Sequence, residues 1–353
     1  MASLQEILGI ELPIIQAPMA GVQDSALTIA VANAGGLGSL PCAMLSGEAM
    51  RTELATIRKQ TAKPINVNFF CHKQPSDNEA RQTSWRNKLA RYYKELGIEP
   101  AGEGQSAGQR RPFTMEAAEV IAEFKPEVVS FHFGLPAPEL LARIRGWGAK
   151  ILSSATTVAE AKWLEAQGVD IIIVQGWEAG GHRGHFLSDD LNDQPGTFAL
   201  VSQIVSAVTA PVVAAGGIAD AKGVAAVMAL GAVGVQVGTA YLLCPEATTG
   251  PLHRAALKSE SVRHTAVTNV ITGRPARGIV NRIMRELGPI DLDVPEFPLA
   301  YNAVAPLRAR AESIGKSDFS PLWAGQNASG CKEIPAAELT RALASDVAGS
   351  NQL

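Results

Sequence analysis

Short apolar runs recur along the chain, each separated from the next by a stretch with helical spacing. Residues 12–17 (LPIIQA) are the first such run, and Pro18-Met19-Ala20-Gly21 breaks it as a strand leaving into a loop. A helix of small residues, capped by Ser25 and ended by Gly35-Gly36, leads to a second strand at 37–40. Helical spacing over 47–60 precedes a third strand at 65–70, INVNFF, whose alternation sets Asn66 and Asn68 on one face. After a helix near 115–124, strands at 128–131, 150–154, 169–174, 212–215 and 234–237 alternate with helices near 137–147, 157–167, 197–207 and 220–230. The run at 169–174 (VDIIIV) is too short to cross a bilayer and rich in β-branched residues, so it reads as a strand buried on both faces.

Eight strands alternating with helices predict an α/β fold, a (β/α)8 TIM barrel. An open doubly wound sheet is the alternative, but the GxGxxG turn it favours after the first strand is replaced here by Pro18-Met19. Two segments lie outside the rhythm. Residues 72–114 predict one exposed helix and a flexible loop inserted after the third strand, a lid candidate; residues 246–353 form a tail with helical patterns near 247–259, 275–286, 298–313 and 335–347. The expected organisation is a barrel from 1–71 and 115–245, the 72–114 insertion, and a helical extension over 246–353 that covers the barrel mouth or a subunit contact.

Composition narrows the partners. A net charge of −3, with 18% charged residues among 353, supplies no field for nucleic acid or an anionic membrane. The amino terminus has no secretory pattern and no apolar stretch is long enough to span a bilayer, so a soluble, cytoplasmic protein acting on small molecules is expected, with a homo-oligomer left open. Cys42, Cys71, Cys244 and Cys331 are far apart and predict neither a zinc site nor a disulfide framework.

The candidate chemistry lies at strand exits, where parallel α/β folds keep their sites. The seventh and eighth strands end in Gly216-Gly217 and Gly238-Thr239; side by side, their amides and the Thr239 hydroxyl suit a phosphate. Asn68, Gln175 and Gln236, with the backbone of Met19 and Ala20, supply neutral donors and acceptors suited to the edge of a flat heterocycle such as an isoalloxazine. After the sixth strand, Gly180-Gly181 lets the loop turn and present His182 and Arg183 over a bound cofactor, toward an anionic substrate. His132 is a further candidate for facing the site, although a lone histidine on an apolar strand is more often buried and satisfied. Glu178, His185 and the aspartates at 189, 190 and 193 lack the spacing of a metal site, and no GxSxG elbow is present.

QAPMAG at 16–21, VNFF at 67–70, QGWEAGGHRGH at 175–185, AAGGIAD at 214–220, QVGTAY at 236–241, and FPLAYNA and LWAGQ in the tail together resemble the nitronate monooxygenases, formerly called 2-nitropropane dioxygenases. The resemblance covers nearly the whole chain and points to class I of that family, whose characteristic substrate is propionate 3-nitronate. It implies FMN held by Met19, Asn68, Gln175, Gly180, Gly216, Gly217, Gln236, Gly238 and Thr239, with His182 at the catalytic position and Tyr301 toward the substrate, where the residues themselves also suggest Arg183 and His132. Some members add further tyrosines and a lysine in the helix after FPLAY; here Ala305 and Ala309 follow Tyr301. The implied reaction is O2-dependent oxidation of an anionic alkyl nitronate to a carbonyl compound and nitrite through a flavosemiquinone, with no nicotinamide. An FMN-dependent NAD(P)H:quinone reductase or enoyl-thioester reductase, and a non-catalytic flavin-binding sensor, are the alternatives that the same cofactor residues would serve.

Overall fold

The computed structural model describes residues 2–76, 78–100 and 110–348. Its main sheet has eight parallel strands in the order β1-β9-β8-β6-β5-β4-β3-β2. They are β1 (Ile14–Gln16), β2 (Gly38–Pro41), β3 (Ile65–Phe70), β4 (Val128–His132), β5 (Lys150–Ala155), β6 (Ile171–Gln175), β8 (Val212–Ala215) and β9 (Gly234–Val237). β1 meets β2 through a parallel bridge, Ile15 to Leu37, so the sheet closes on itself. The expected TIM barrel is therefore what the chain forms.

Period-two alternation explains the two apolar layers. In β6, Ile171 and Ile173 point inward, where they pack with Ile15, Leu152 and Val213 and with Leu4 and Leu8 of the first helix (Leu4–Leu8), which plugs the amino-terminal end. Ile172 and Val174, one residue out of phase, pack in the outer layer that holds the surrounding helices. The first of these outer helices begins at Ser25, but Asp24 supplies its cap.

The excursions are where the sequence reading needs correction. The inserted helix is observed at Glu79–Leu96, but it is not exposed: Trp85, Leu89, Tyr92, Tyr93 and Leu96 are buried in a second core shared with the tail helix Ala300–Ser313. Trp85 Nε1 donates to the Ala300 carbonyl at 3.3 Å and the Tyr93 hydroxyl to that of Ala303 at 2.6 Å. Five apolar or aromatic positions at helical spacing decide the matter, because burying them outweighs the charge on the opposite face. Most of the loop expected after this helix, residues 101–109, lies outside the described residues.

The tail is not uniformly helical. Where a helix was expected across 275–286, β11 (Ala276–Ile279) comes first and a helix only at Arg282–Leu287. β11 pairs antiparallel with β10 (Thr265–Thr268) on one side and with β7 (Gly181–His182) on the other. A single stretch scored for helical spacing cannot reveal partners that are distant in sequence, and strand preference depends on them. The loop that looked irregular after β6 is thereby given a strand neighbour from the tail.

Among the described residues, no helix is long and apolar enough to cross a membrane. One close approach locks the barrel to its helices: a Cβ on Gly38 would stand 2.0 Å from the Thr28 carbonyl oxygen. Gly38→Ala is expected to cost roughly 3 kcal/mol or more, since backbone must move to admit the methyl group. Gly250→Ala, with nothing within 4 Å, should shift the thermal melting point far less. Equal melting points for the two variants would show that β2 and its helix tolerate displacement.

Candidate active site

The carboxyl ends of the barrel strands surround a cavity closed on one side by tail residues Trp323, Gly325 and Asn327. His182 stands on its wall, half-buried, with Phe297 and Trp323 rings at 5.2 and 5.5 Å and those of Phe133 and Phe70 at 6.1 and 6.4 Å. Its position is set through the backbone. The His182 carbonyl accepts from Gln175 Nε2 at 2.9 Å and from His132 Nε2 at 3.0 Å, and its strand register pairs it with Ala276. Its side chain meets the Thr272 hydroxyl, with Nε2 2.9 Å from Oγ1.

These contacts revise several sequence expectations. His132 must donate from Nε2 to reach a carbonyl, so its Nδ1 is the acceptor for the Ser154 hydroxyl 2.6 Å away. Both ring nitrogens are thus committed to protein, and His132 acts as a brace beneath His182 while still lining the cavity. Gln175 also lines it, but its amide is largely spent on the loop, since Oε1 accepts from the Gly184 amide at 2.8 Å. The Met19 amide donates to Gln23 Oε1 at 2.8 Å, which leaves the side chain of Met19 to face the cavity.

Arg183 departs furthest from expectation. It is fully buried and points away from the cavity, donating to Gln194 Oε1 and to the carbonyls of Gly176 and Gln175 at 2.8, 2.8 and 3.0 Å. Alternation along β7 sends residue 183 to the face opposite His182, so the two neighbours cannot both cover a ligand. Arg274 and Arg277 brace the same loop: Arg274 donates to the His185 carbonyl and lies 4.2 Å over the Phe133 ring, and Arg277 Nε donates to the Trp177 carbonyl at 3.0 Å. Burial lowers the Arg183 pKa to about 9 and that of Arg274 to about 10, so both remain cations at neutral pH. Tyr301 is likewise set back from the wall, its ring under the guanidinium of Arg110.

At the ends of β8 and β9 the backbone is left open. Gly216 and Gly217 take φ of 120° and 73°, a region that excludes ordinary side chains. Among the described residues, no protein acceptor receives the amides of Gly217, Gly238 or Thr239. The Thr239 hydroxyl accepts from the Gly325 amide at 2.9 Å, so its own proton is free to point elsewhere. Gln236 Oε1 is buried with no partner, and Asn68 uses its Nδ2 on Ser130. Gly180 lines the cavity too, yet its lack of a side chain has a local cause: a Cβ would lie 2.5 Å from the Gly325 nitrogen.

Sequence reasoning missed four contributors. Arg110 lines the cavity from beside the insertion, Thr272 meets His182 from the tail, and Trp323 walls the opening. The fourth, Glu160, is buried and gathers the amide and hydroxyl of Thr156 together with the amides of Phe186 and Leu187, tying the histidine loop to the end of β5. Two of the four stood in local signals, Trp323 in the LWAGQ segment and Glu160 in the T-x-x-E spacing from Thr157 that marks a helix start.

Burial, with Arg110 the next cause, holds the His182 pKa well below the ordinary histidine value, so its ring is neutral at pH 7. Burial likewise lowers His72 and His253 to about 4 and His185 to about 3. Such groups contribute stability that is complete above an unfolded pKa near 6.5 and is lost as pH falls toward the folded value. For His72 the full effect amounts to roughly 3 kcal/mol. The melting temperature should therefore drop steeply between pH 6.5 and 4, and His72→Leu should flatten part of that drop. A variant whose melting temperature follows wild type at every pH would remove His72 from the acid response.

The family model described as "Nitronate monooxygenase" matches residues 2–346. A nitronate monooxygenase of Pseudomonas aeruginosa is 40% identical over 97% of this chain and 98% of its own length. One from Paraburkholderia phytofirmans is 41% identical over 97% and 93%. Among solved structures, a nitroalkane oxidase from Streptomyces ansochromogenes superposes with a TM-score of 0.89 at 36% identity, covering 99% of each chain. FabK from Thermotoga maritima gives 0.72 at 25% identity, covering 100% of this chain and 98% of its own. The chain belongs to the nitronate monooxygenase family.

Proposed function

We propose that this enzyme binds FMN and oxidises a small anionic nitronate, propionate 3-nitronate being the first candidate, with O2 to a carbonyl compound and nitrite. The observation that carries the reading is a neutral His182 held by its backbone on the wall of a cavity that no Asp, Glu or Lys side chain lines among the described residues. Such a wall does not repel an anion.

The residues present fit the cofactor. The open amides of Gly217, Gly238 and Thr239 supply donors for a phosphate, and the unpartnered Gln236 Oε1 supplies an acceptor for a ring N–H. When bound, FMN would take an electron from the nitronate and pass it to O2.

The protein's own contribution is positional. The contact from Thr272 Oγ1 to His182 Nε2, 2.9 Å, is shorter than that from the same oxygen to the Arg274 carbonyl, 3.4 Å, which favours a hydroxyl donating to Nε2. That tautomer leaves Nδ1–H to donate to a nitronate oxygen. The surrounding aromatic rings exclude water, strengthening such a bond and orienting the anion. No proton need leave the ligand, because a nitronate is already deprotonated, so a histidine with a depressed pKa suits the task.

The test is the visible spectrum of the purified protein together with nitrite release from propionate 3-nitronate in air, without NAD(P)H. A flavin spectrum and rapid nitrite release are expected. His182→Asn should keep the flavin and lose about 10²–10³-fold in turnover, the usual cost of removing one positioned donor. Undiminished turnover would remove His182 from the mechanism. A flavin bleached anaerobically by NADH or NADPH, with no nitrite formed in air, would favour a reductase.

A further inference from the structure

The cavity wall carries a single formally charged side chain among the described residues, that of Arg110. Its guanidinium lies 4.5 Å over the Tyr301 ring, and the Tyr301 hydroxyl accepts from Arg308 Nη1 at 3.0 Å. Arg308 is itself paired, with Nε 2.7 Å from Glu312 Oε1. Arg110 has no such partner: none of the ion pairs among the described residues includes it, and its Nη1 is buried without a hydrogen-bond acceptor.

The other arginines around this site make the contrast. Arg183, Arg274 and Arg277 each donate to backbone carbonyls of the histidine loop, as struts do. Arg110 instead stacks on a ring face, which holds the guanidinium plane while leaving N–H groups uncommitted. An orphaned buried donor costs about 1–3 kcal/mol, more when charged, and is retained where something else satisfies it. The side chain is always cationic, and its charge is felt at His182 across the cavity.

We infer that Arg110 is the anion anchor of the cavity: it receives a carboxylate carried by the substrate at the end remote from the carbon that reacts beside His182. It is a specificity-determining residue, and it selects carboxylated nitronates over plain alkyl nitronates. The inference rests on the nitronate reading above and narrows its substrate class. A planar guanidinium whose Nη1 has no acceptor suits a carboxylate oxygen, and Tyr301 fixes the plane in which that nitrogen donates. Arg308, already neutralised by Glu312, steadies Tyr301 without competing for the ligand.

A nitronate is also planar with two oxygens, so the experiment must separate the two ends of the substrate. Wild type, Arg110→Gln and Arg110→Lys would be compared in kcat/KM for propionate 3-nitronate and for ethyl nitronate, which lacks a carboxylate. Calorimetric binding of 3-nitropropionate would be measured alongside. Arg110→Gln should lose about 10–100-fold on the carboxylated substrate and in 3-nitropropionate affinity, the range for a hydrogen bond to a charged group, while ethyl nitronate loses markedly less. Arg110→Lys should recover part of both losses.

Equal losses on the two nitronates would overturn the inference and assign Arg110 to the nitronate group or to the fold. So would unchanged 3-nitropropionate affinity in Arg110→Gln, or a wild type that does not bind it. If wild type releases no nitrite from either nitronate but binds 3-nitropropionate in an Arg110-dependent way, the anchor stands and the reaction reading fails.

Discussion

The site depends on one carbonyl group. Two side-chain donors, from Gln175 and His132, converge on the backbone oxygen of His182, and strand pairing with Ala276 holds the same residue from the tail. A loop after a barrel strand would otherwise sample many conformations, and ordering each of its residues costs about 1–2 kcal/mol. Here that cost is offset by contacts from three directions: the barrel beneath, the tail hairpin beside, and Glu160 collecting the amides further along. The imidazole is therefore placed by its main chain, which leaves the ring free to meet Thr272 and a ligand.

This arrangement explains why the tail cannot be a dispensable cover. β11 supplies the strand partner of His182, Thr272 contacts its ring, and Gly325 reaches Thr239 at the open amides. The inserted helix Glu79–Leu96 is tied to the same tail through Trp85 and Tyr93, so the two excursions from the barrel form one packed layer with its own apolar core. Packing in that layer reaches the chemistry through Tyr301, whose helix sits in the second core and whose ring carries Arg110.

The barrel was legible because its signals are local. Short apolar runs, glycine exits and helical spacing each act over a few residues, and strands expected at 128–131 and 212–215 are found at Val128–His132 and Val212–Ala215. The glycines at 216 and 217 were legible for the same reason, since their backbone conformation confines the choice of residue. The direction of Arg183 was not legible, because it depends on a strand pairing made far later in the chain, of His182 with Ala276 and of Gly181 with Arg277. Gln175 and His132 look like ligand groups from their places at strand ends, and only the position of the His182 carbonyl turns them into braces. Arg110 carried no periodic signal at all, and its meaning comes from Tyr301, far away in the sequence.

Charge around the cavity follows from the same construction. Four arginines, at 110, 183, 274 and 277, surround a space that no carboxylate lines among the described residues. Three are offset in part by carbonyl dipoles, aromatic faces and the carboxylates of Glu160, Glu178 and Asp189, none of which lines the cavity, while Arg110 has no ion-pair partner among the described residues. Burial keeps a proton off His182, and the charges of Arg110 and Arg274 add to that effect. An anion entering the cavity would reverse the balance, relieving the repulsion that the histidine feels and satisfying the guanidinium that has no partner. The depressed basicity of His182 and the orphaned Nη1 of Arg110 are thus two expressions of one constraint: the cavity is built with positive charge in excess, and its ligand completes it.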